Sequence, residues 1–183
     1  MKKVKDGKYI GKRLMAYIID WYFGSVVAMI PFLVIAMANN VPYNNVLNLA
    51  QYTMTEIITG VLISLVSSFL YFFILPWKIY PGQTIGKKIM KLKITNDKNE
   101  ELTTTNLFIR QIICIWFVEI SLHSIGGILL NTLVNIIPVD ILFVIKDINI
   151  WVVVFSAIML LITYRHISLH DWIAKTKVID VKY

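Results

Sequence analysis

Four apolar runs constrain this chain more than any other feature of its sequence. They cover residues 14–38, 57–79, 107–138 and 148–164. Strands rarely exceed about 10 residues, so none of these runs is a strand. A helix needs about 20 mostly apolar residues to cross a bilayer, and the runs meet or approach that length. Asp20 and Pro31 interrupt the first run, and Lys78 ends the second. The third carries Arg110, Glu119 and His123, and the fourth has no charge. Apolar residues make up 57% of the 183 residues and charged residues 16%, with a mean hydropathy of +0.69. Soluble domains average about 45–50% and about 25%. A globule of this size cannot hide so much apolar surface from water. This composition excludes a disordered chain, most soluble enzymes and, despite a net charge of +7, a nucleic-acid partner. Cys114 is the single cysteine, so a disulfide framework is excluded as well.

The expected fold is therefore all-α: one polytopic helical membrane domain over residues 1–183 with about four transmembrane helices. The third run is too long for one straight span, because 32 residues reach roughly 48 Å at about 1.5 Å each. Gly126-Gly127 divides it into a span over 107–125 and an interfacial or re-entrant piece over 128–137; one tilted helix of about 30 residues is the alternative. Orientation follows the Lys/Arg bias. Seventeen of the 18 basic residues lie in the N-terminal segment, in the 80–106 loop with its flanks Lys78 and Arg110, or in the 165–183 tail. Lys146 is the exception. Four spans with both termini cytoplasmic, in the cell membrane, satisfy that pattern. Ala36-Met37-Ala38 resembles a signal-peptide cleavage site, but the preceding run of about 25 residues exceeds the usual ~7–15, and Asp20 lies inside it.

In the 80–106 loop, Ile85, Ile89 and Leu92 share a helical face, with Lys87, Lys88 and Lys91 between them. That pattern suits a short basic helix against an anionic inner leaflet. Leu92-Lys93-Ile94-Thr95 and Lys177-Val178-Ile179-Asp180-Val181 read as short strands that pair as a small β-element; the alternative is two unpaired amphipathic stretches. No internal repeat is evident. Gly82-Gln83-Thr84-Ile85-Gly86-Lys87-Lys88 has three residues between its glycines and no Ser or Thr after Lys87, so it is not a phosphate-binding loop.

Charges at membrane depth are the candidate functional residues. An ionised carboxylate at the centre of a span costs about 2.5–3.5 kcal/mol on insertion scales, so Asp20 must pair, meet water or stay protonated. Arg13 lies roughly 10 Å of rise below it on the same helix, too far for direct contact, which points to a bridge through another element. Glu119 and His123 are spaced i, i+4 and either relay protons or merely bond each other. Arg110 is expected to snorkel to the headgroups. His166 and His170, also i, i+4 and next to Asp171, are better read as a helix end at the membrane surface than as a metal site. Neither a cofactor nor a catalytic constellation is expected.

Gly11-Lys12-Arg13-Leu14 through Asp20, the 82–88 segment followed by Leu92-Lys93-Ile94, Arg110, and Leu169-His170-Asp171-Trp172 stand in an order that resembles the RDD family of bacterial integral membrane proteins. That family is named for an arginine and two aspartates, which here fall on Arg13, Asp20 and Asp171. The residues from Gly126 to Ile150 match none of its motifs. The resemblance implies one of two roles. The first is exchange of monovalent cations for protons, with Asp20 as the ion-handling carboxylate, Glu119 a second candidate, and Arg13 and Asp171 paired at the cytoplasmic mouth. So few spans would then require a homo-oligomer. The second is a non-transporting accessory, scaffold or immunity-type protein, in which the same charges lock the helices together.

Overall fold

The computed structural model describes residues 2–98, 102–118, 124–133 and 137–181. Helix α1 is Lys2–Ala38. Helix α2 is Met54–Ile79, α-helical to Phe69 and π-helical from Leu70. A short helix α3 (Ile85–Ile89) leads into strand β1 (Leu92–Asn96). Helix α4 covers 104–118, α-helical over Thr104–Phe108 and π-helical over Ile109–Val118. Helix α5 is Ser124–Leu133, α6 is Val139–Ile162, α7 is Leu169–Ile173, and strand β2 is Thr176–Asp180.

Among the described residues, three helices are long and apolar enough to cross a membrane: Gly7–Ala38, Met54–Ile79 and Val139–Ile162. Small residues let the first two approach closely, as in helix pairs that lack a hydrophobic driving force in lipid. Gly60 sits under the Phe32 ring, and Ser64 Oγ donates to the Ala28 carbonyl at 2.6 Å. Outside such seams the long helices show large apolar side chains, including Leu62, Val34, Phe155 and Trp151.

Several boundaries differ from the sequence expectation. The basic N-terminal segment is helical and continuous with the first span. Gly126-Gly127 lies inside α5 and does not divide the third run there. The last long helix begins at Val139, nine residues before Ile148, and takes in Lys146 and Asp147. Pro138 at its N-cap and Asp140 in its first turn explain that start, since both favour a helix N-terminus.

The two short strands pair antiparallel, with Leu92 opposite Asp180, Ile94 opposite Val178 and Asn96 opposite Thr176. This is the small β-element expected from the sequence. Leu92 and Ile94 are fully buried. Gly82 holds the turn before α3, at φ +77°, with its carbonyl accepting from Ile94 N at 2.7 Å. A Cβ there would lie 2.5 Å from the Ile94 oxygen, so only glycine fits.

The structure also contains a repeat that the sequence did not disclose. Thr84 caps α3 and Ser168 caps α7 with nearly the same backbone angles, φ −80°, ψ 173° and φ −85°, ψ 171°. Each helix has five residues, is capped by Met90 or Ala174, passes through a left-handed lysine (Lys91 or Lys175), and enters a five-residue strand. Each position has its counterpart 84 residues later, as Lys91 has Lys175 and Leu92 has Thr176. Exchanging the two copies leaves the strand register unchanged, with Ile94 and Val178 at its centre. Each copy follows a long helix, α2 for the first and α6 for the second.

A buried charged layer as candidate functional site

The layer has two halves, one around Asp20 and one around Asp171. Asp20 is 4% exposed, and both of its oxygens face donors from elsewhere in the fold. Oδ1 accepts from Gly86 N at 2.8 Å and Tyr71 OH at 3.1 Å. Oδ2 accepts from Thr84 Oγ1 at 2.5 Å and Lys87 Nζ at 3.3 Å. Asp20 thus supplies from α1 the acceptor that the start of α3 needs, because Thr84 turns its hydroxyl toward Asp20 instead of its own helix. Gly86 makes this approach possible. A Cβ there would fall 2.2 Å from the Ala16 carbonyl oxygen and 2.9 Å from the Asp20 carboxylate.

Asp171 is fully buried in α7. Arg13 Nη2 donates to its Oδ2 at 2.6 Å, and Arg110 Nη1 donates to its Oδ1. Ser168 adds its backbone N–H at 3.1 Å and its hydroxyl at 2.7 Å. Burial alone would push this carboxyl up, but Arg110 and then Arg13 outweigh it and hold it well below the usual carboxylate range. Arg13 Nη1 also reaches the His166 carbonyl at 2.5 Å, and Arg110 Nη1 reaches Thr176 Oγ1 at 2.6 Å. Further along α1, Tyr9 OH donates to the Val178 carbonyl and Lys12 Nζ to Asp180 at 2.6 Å. The first helix is therefore fastened to the tail over little more than one turn, from Tyr9 to Arg13.

Arg13 and Asp20 do not touch; Arg13 goes to α7 and Asp20 to the loop before α3. Arg110 is 2% exposed and turned into the protein, which corrects the expectation that it snorkels to headgroups. Its partner Asp171 is 61 residues away in sequence, so no local spacing signals the pair. Lys87 also departs from the lipid-facing expectation: its ammonium turns to Asp20, leaving the side chain 17% exposed. Burial pushes it below its usual range, and Asp20 offsets this only in part. Lys88 is exposed, with Nζ 3.3 Å from the Tyr80 ring centroid, and Lys91 is exposed in the turn before β1. Glu119 and His123 lie outside the described residues. His166 and His170 do not share a helical face, since His166 takes a positive φ before α7 begins. Among the described residues no group of His, Cys, Asp and Glu is placed to hold a metal. Sequence reasoning missed Thr84, Tyr71 and Gly86 as partners of Asp20; the only hint was their proximity to the glycine-containing loop.

A cavity of about 420 Å³ lies beside this layer, between α1 and α6. Asp20, Thr84, Lys87, Arg110 and Gln111 line its polar side.

These features define a helical membrane protein with a buried charged layer that joins a middle loop and a tail to the first helix. The chain belongs to the RDD family, whose model matches residues 9–175. Comparison with curated proteins gave no match. Comparison with solved structures gave none either.

Proposed function

We propose that this protein is a non-transporting, non-enzymatic membrane scaffold whose charged layer locks loop, tail and first helix into one platform. The occupancy of Asp20 carries this reading. Both oxygens already accept from protein donors, two of which, Gly86 N and Lys87 Nζ, can only donate. A cation would have to displace them. The platform faces the cytoplasm on this reading, as the Lys/Arg distribution favours. Pairing of β1 with β2 supports an even number of crossings, because loop and tail then lie on one side. On this reading α4 and α5 belong to the fourth crossing, beside the three long helices.

The cavity that reaches Asp20 favours a second reading, exchange of monovalent cations for protons, in which a cation enters as Lys87 leaves and copies of the chain assemble to complete a pathway. One experiment separates the two. Purified protein in liposomes with an internal pH-sensitive dye is pulsed with Na⁺ or K⁺, for wild type beside Asp20→Asn. The scaffold reading expects no cation-driven pH change in either. A change in wild type that vanishes in a folded Asp20→Asn overturns it.

A further inference from the structure

The cavity between α1 and α6 has a composition that neither role requires. Its walls are apolar, with Ile10 and Leu14 on one side and Val153 and Leu160 on the other. Leu14 and Leu161, both lining it, are 57% and 61% exposed, so its rim opens sideways between two long apolar helices. Its inner end is charged. Arg13, Lys87 and Arg110 meet the carboxylates of Asp20 and Asp171, leaving one positive charge in excess. Among the described residues, Gln111, 1% exposed, has no partner for Nε2, and Arg110, 2% exposed, has none for Nε. Both lone groups are donors on residues that line the cavity. A buried donor left unsatisfied is destabilising, the more so when the group is charged. The deficit is therefore one of acceptors.

The pseudo-repeat shows that the opening is specific to one side. Asp20 of α1 meets α3 as Arg110 of α4 meets α7, so exchanging the copies maps the α1–α6 pair onto the α4–α2 pair. The second pair is closed, with the Phe73 and Phe108 rings 5.7 Å apart, whereas α1 and α6 hardly touch. The volume also falls within the ~300–1,000 Å³ of small-molecule sites.

We propose that this cavity binds one anionic phospholipid, its phosphate at Arg110, Gln111 and Lys87 and its acyl chains leaving between Leu14 and Leu161. A phosphate in the cavity neutralises the excess charge, and rotation of the Gln111 and Arg110 side chains, whose lone donors lie just beneath the cavity surface, gives them the missing acceptor. The acyl chains cover an apolar rim that already faces lipid.

The test is a thermal-stability titration of the purified full chain in neutral detergent. Phosphatidylglycerol, phosphatidylcholine, inorganic phosphate and glycerol 3-phosphate are the ligands, and native mass spectrometry counts bound lipid. A ligand that binds only the folded state raises its midpoint by mass action. Phosphatidylglycerol should do so saturably at one lipid per chain, and the other three should not. Gln111→Leu and Ala157→Phe, the latter filling the rim, should each weaken the effect at least tenfold; Lys88→Gln, outside the cavity, should not. Gln111→Leu removes an unsatisfied donor, so its lipid-free midpoint should hold. Should either cavity variant fail to fold, the other decides. Equal effects of phosphatidylglycerol and phosphatidylcholine overturn the proposal, as does wild-type binding by the folded cavity variants. A midpoint rise with inorganic phosphate equal to that with phosphatidylglycerol reassigns the cavity to a free anion and overturns it too.

Discussion

Lys87 and Asp171 occupy the same position, the third residue, in two five-residue helices that each lead through a left-handed lysine into a strand. Their charges are opposite, and so are their partners. Lys87 meets Asp20 from α1, and Asp171 meets Arg110 from α4 and Arg13 from α1. One contact, a short helix pinned by a charge on a long one, is therefore built twice with the signs exchanged. Only the second copy recruits a charge from the other half, and that extra arginine ties the tail to the start of the chain.

Asp171→Asn should be the most damaging substitution in the layer. It leaves Arg13 and Arg110, both nearly inaccessible, without a counter-charge. Removing one partner of a buried pair costs about 3–5 kcal/mol. Thermal unfolding of the purified protein should show a large midpoint loss. Arg110→Met combined with Asp171→Met should lose clearly less than the two single changes together, because the double variant leaves only Arg13 without its counter-charge, whereas the loss of Asp171 alone leaves both arginines so. Additive losses would mean that the two residues act independently.

The same carboxyl sets an acid limit. Its folded pKa lies below its unfolded value of about 3.9, so its contribution is complete above that value and is lost as pH falls through the folded one. Stability should therefore hold down to about pH 4 and decline below it, and that decline should flatten in Asp171→Asn. Lys87 acts at the other end. With its folded pKa lowered, the unfolded chain binds the proton more tightly, so Lys87 adds stability as pH rises toward about 10.4. Lys87→Met should remove that alkaline gain. Thermal midpoints from pH 3 to 10 measure both.

Much of this architecture was legible in the sequence, and the unread parts share a cause. Long apolar runs signal spanning helices because nothing else buries them, and the strand pattern of 92–95 and 177–181 needed only its partner. Arg110 and Lys87 were misjudged because a basic residue near a membrane boundary ordinarily faces headgroups, and only the distant Asp171 or Asp20 turns it inward. The repeat was hidden because its signature is backbone geometry. Few side chains coincide, among them Ile89 with Ile173, Lys91 with Lys175 and Lys93 with Lys177. The positive φ shared by the two turn lysines cannot be read from a lysine.

Two glycine substitutions should move stability in opposite directions. Gly86→Ala forces a Cβ against the Ala16 carbonyl and the Asp20 carboxylate, and backbone cannot retreat as a side-chain tip can. Overpacking of this kind costs about 1–3 kcal/mol or more. Gly11, exposed in α1, has nothing within 4 Å of an added Cβ. Gly11→Ala should gain about 0.5–1 kcal/mol from helix propensity alone. Equal thermal midpoints for the two variants would remove Gly86 from the contact with Asp20.

The strand register makes a covalent prediction. Lys93 and Ile179 are direct cross-strand partners, and neither is buried in the core. Directly opposed residues of an antiparallel pair have Cα atoms about 4.5–5.5 Å apart, within the range a disulfide accepts. Lys93→Cys with Ile179→Cys, in a Cys114→Ser background, should cross-link readily under mild oxidation in the membrane. Shifting one partner to Val181→Cys should cross-link far less, since diagonal neighbours lie about 7–8 Å apart. The cross-link closes a loop of more than 80 residues between the middle loop and the tail. In the chain-entropy picture, it should raise the thermal midpoint and rescue part of the loss in Asp171→Asn. Cross-linking through Val181 as efficient as through Ile179 would show that loop and tail slide past each other, and the layer above them could not then hold a single geometry.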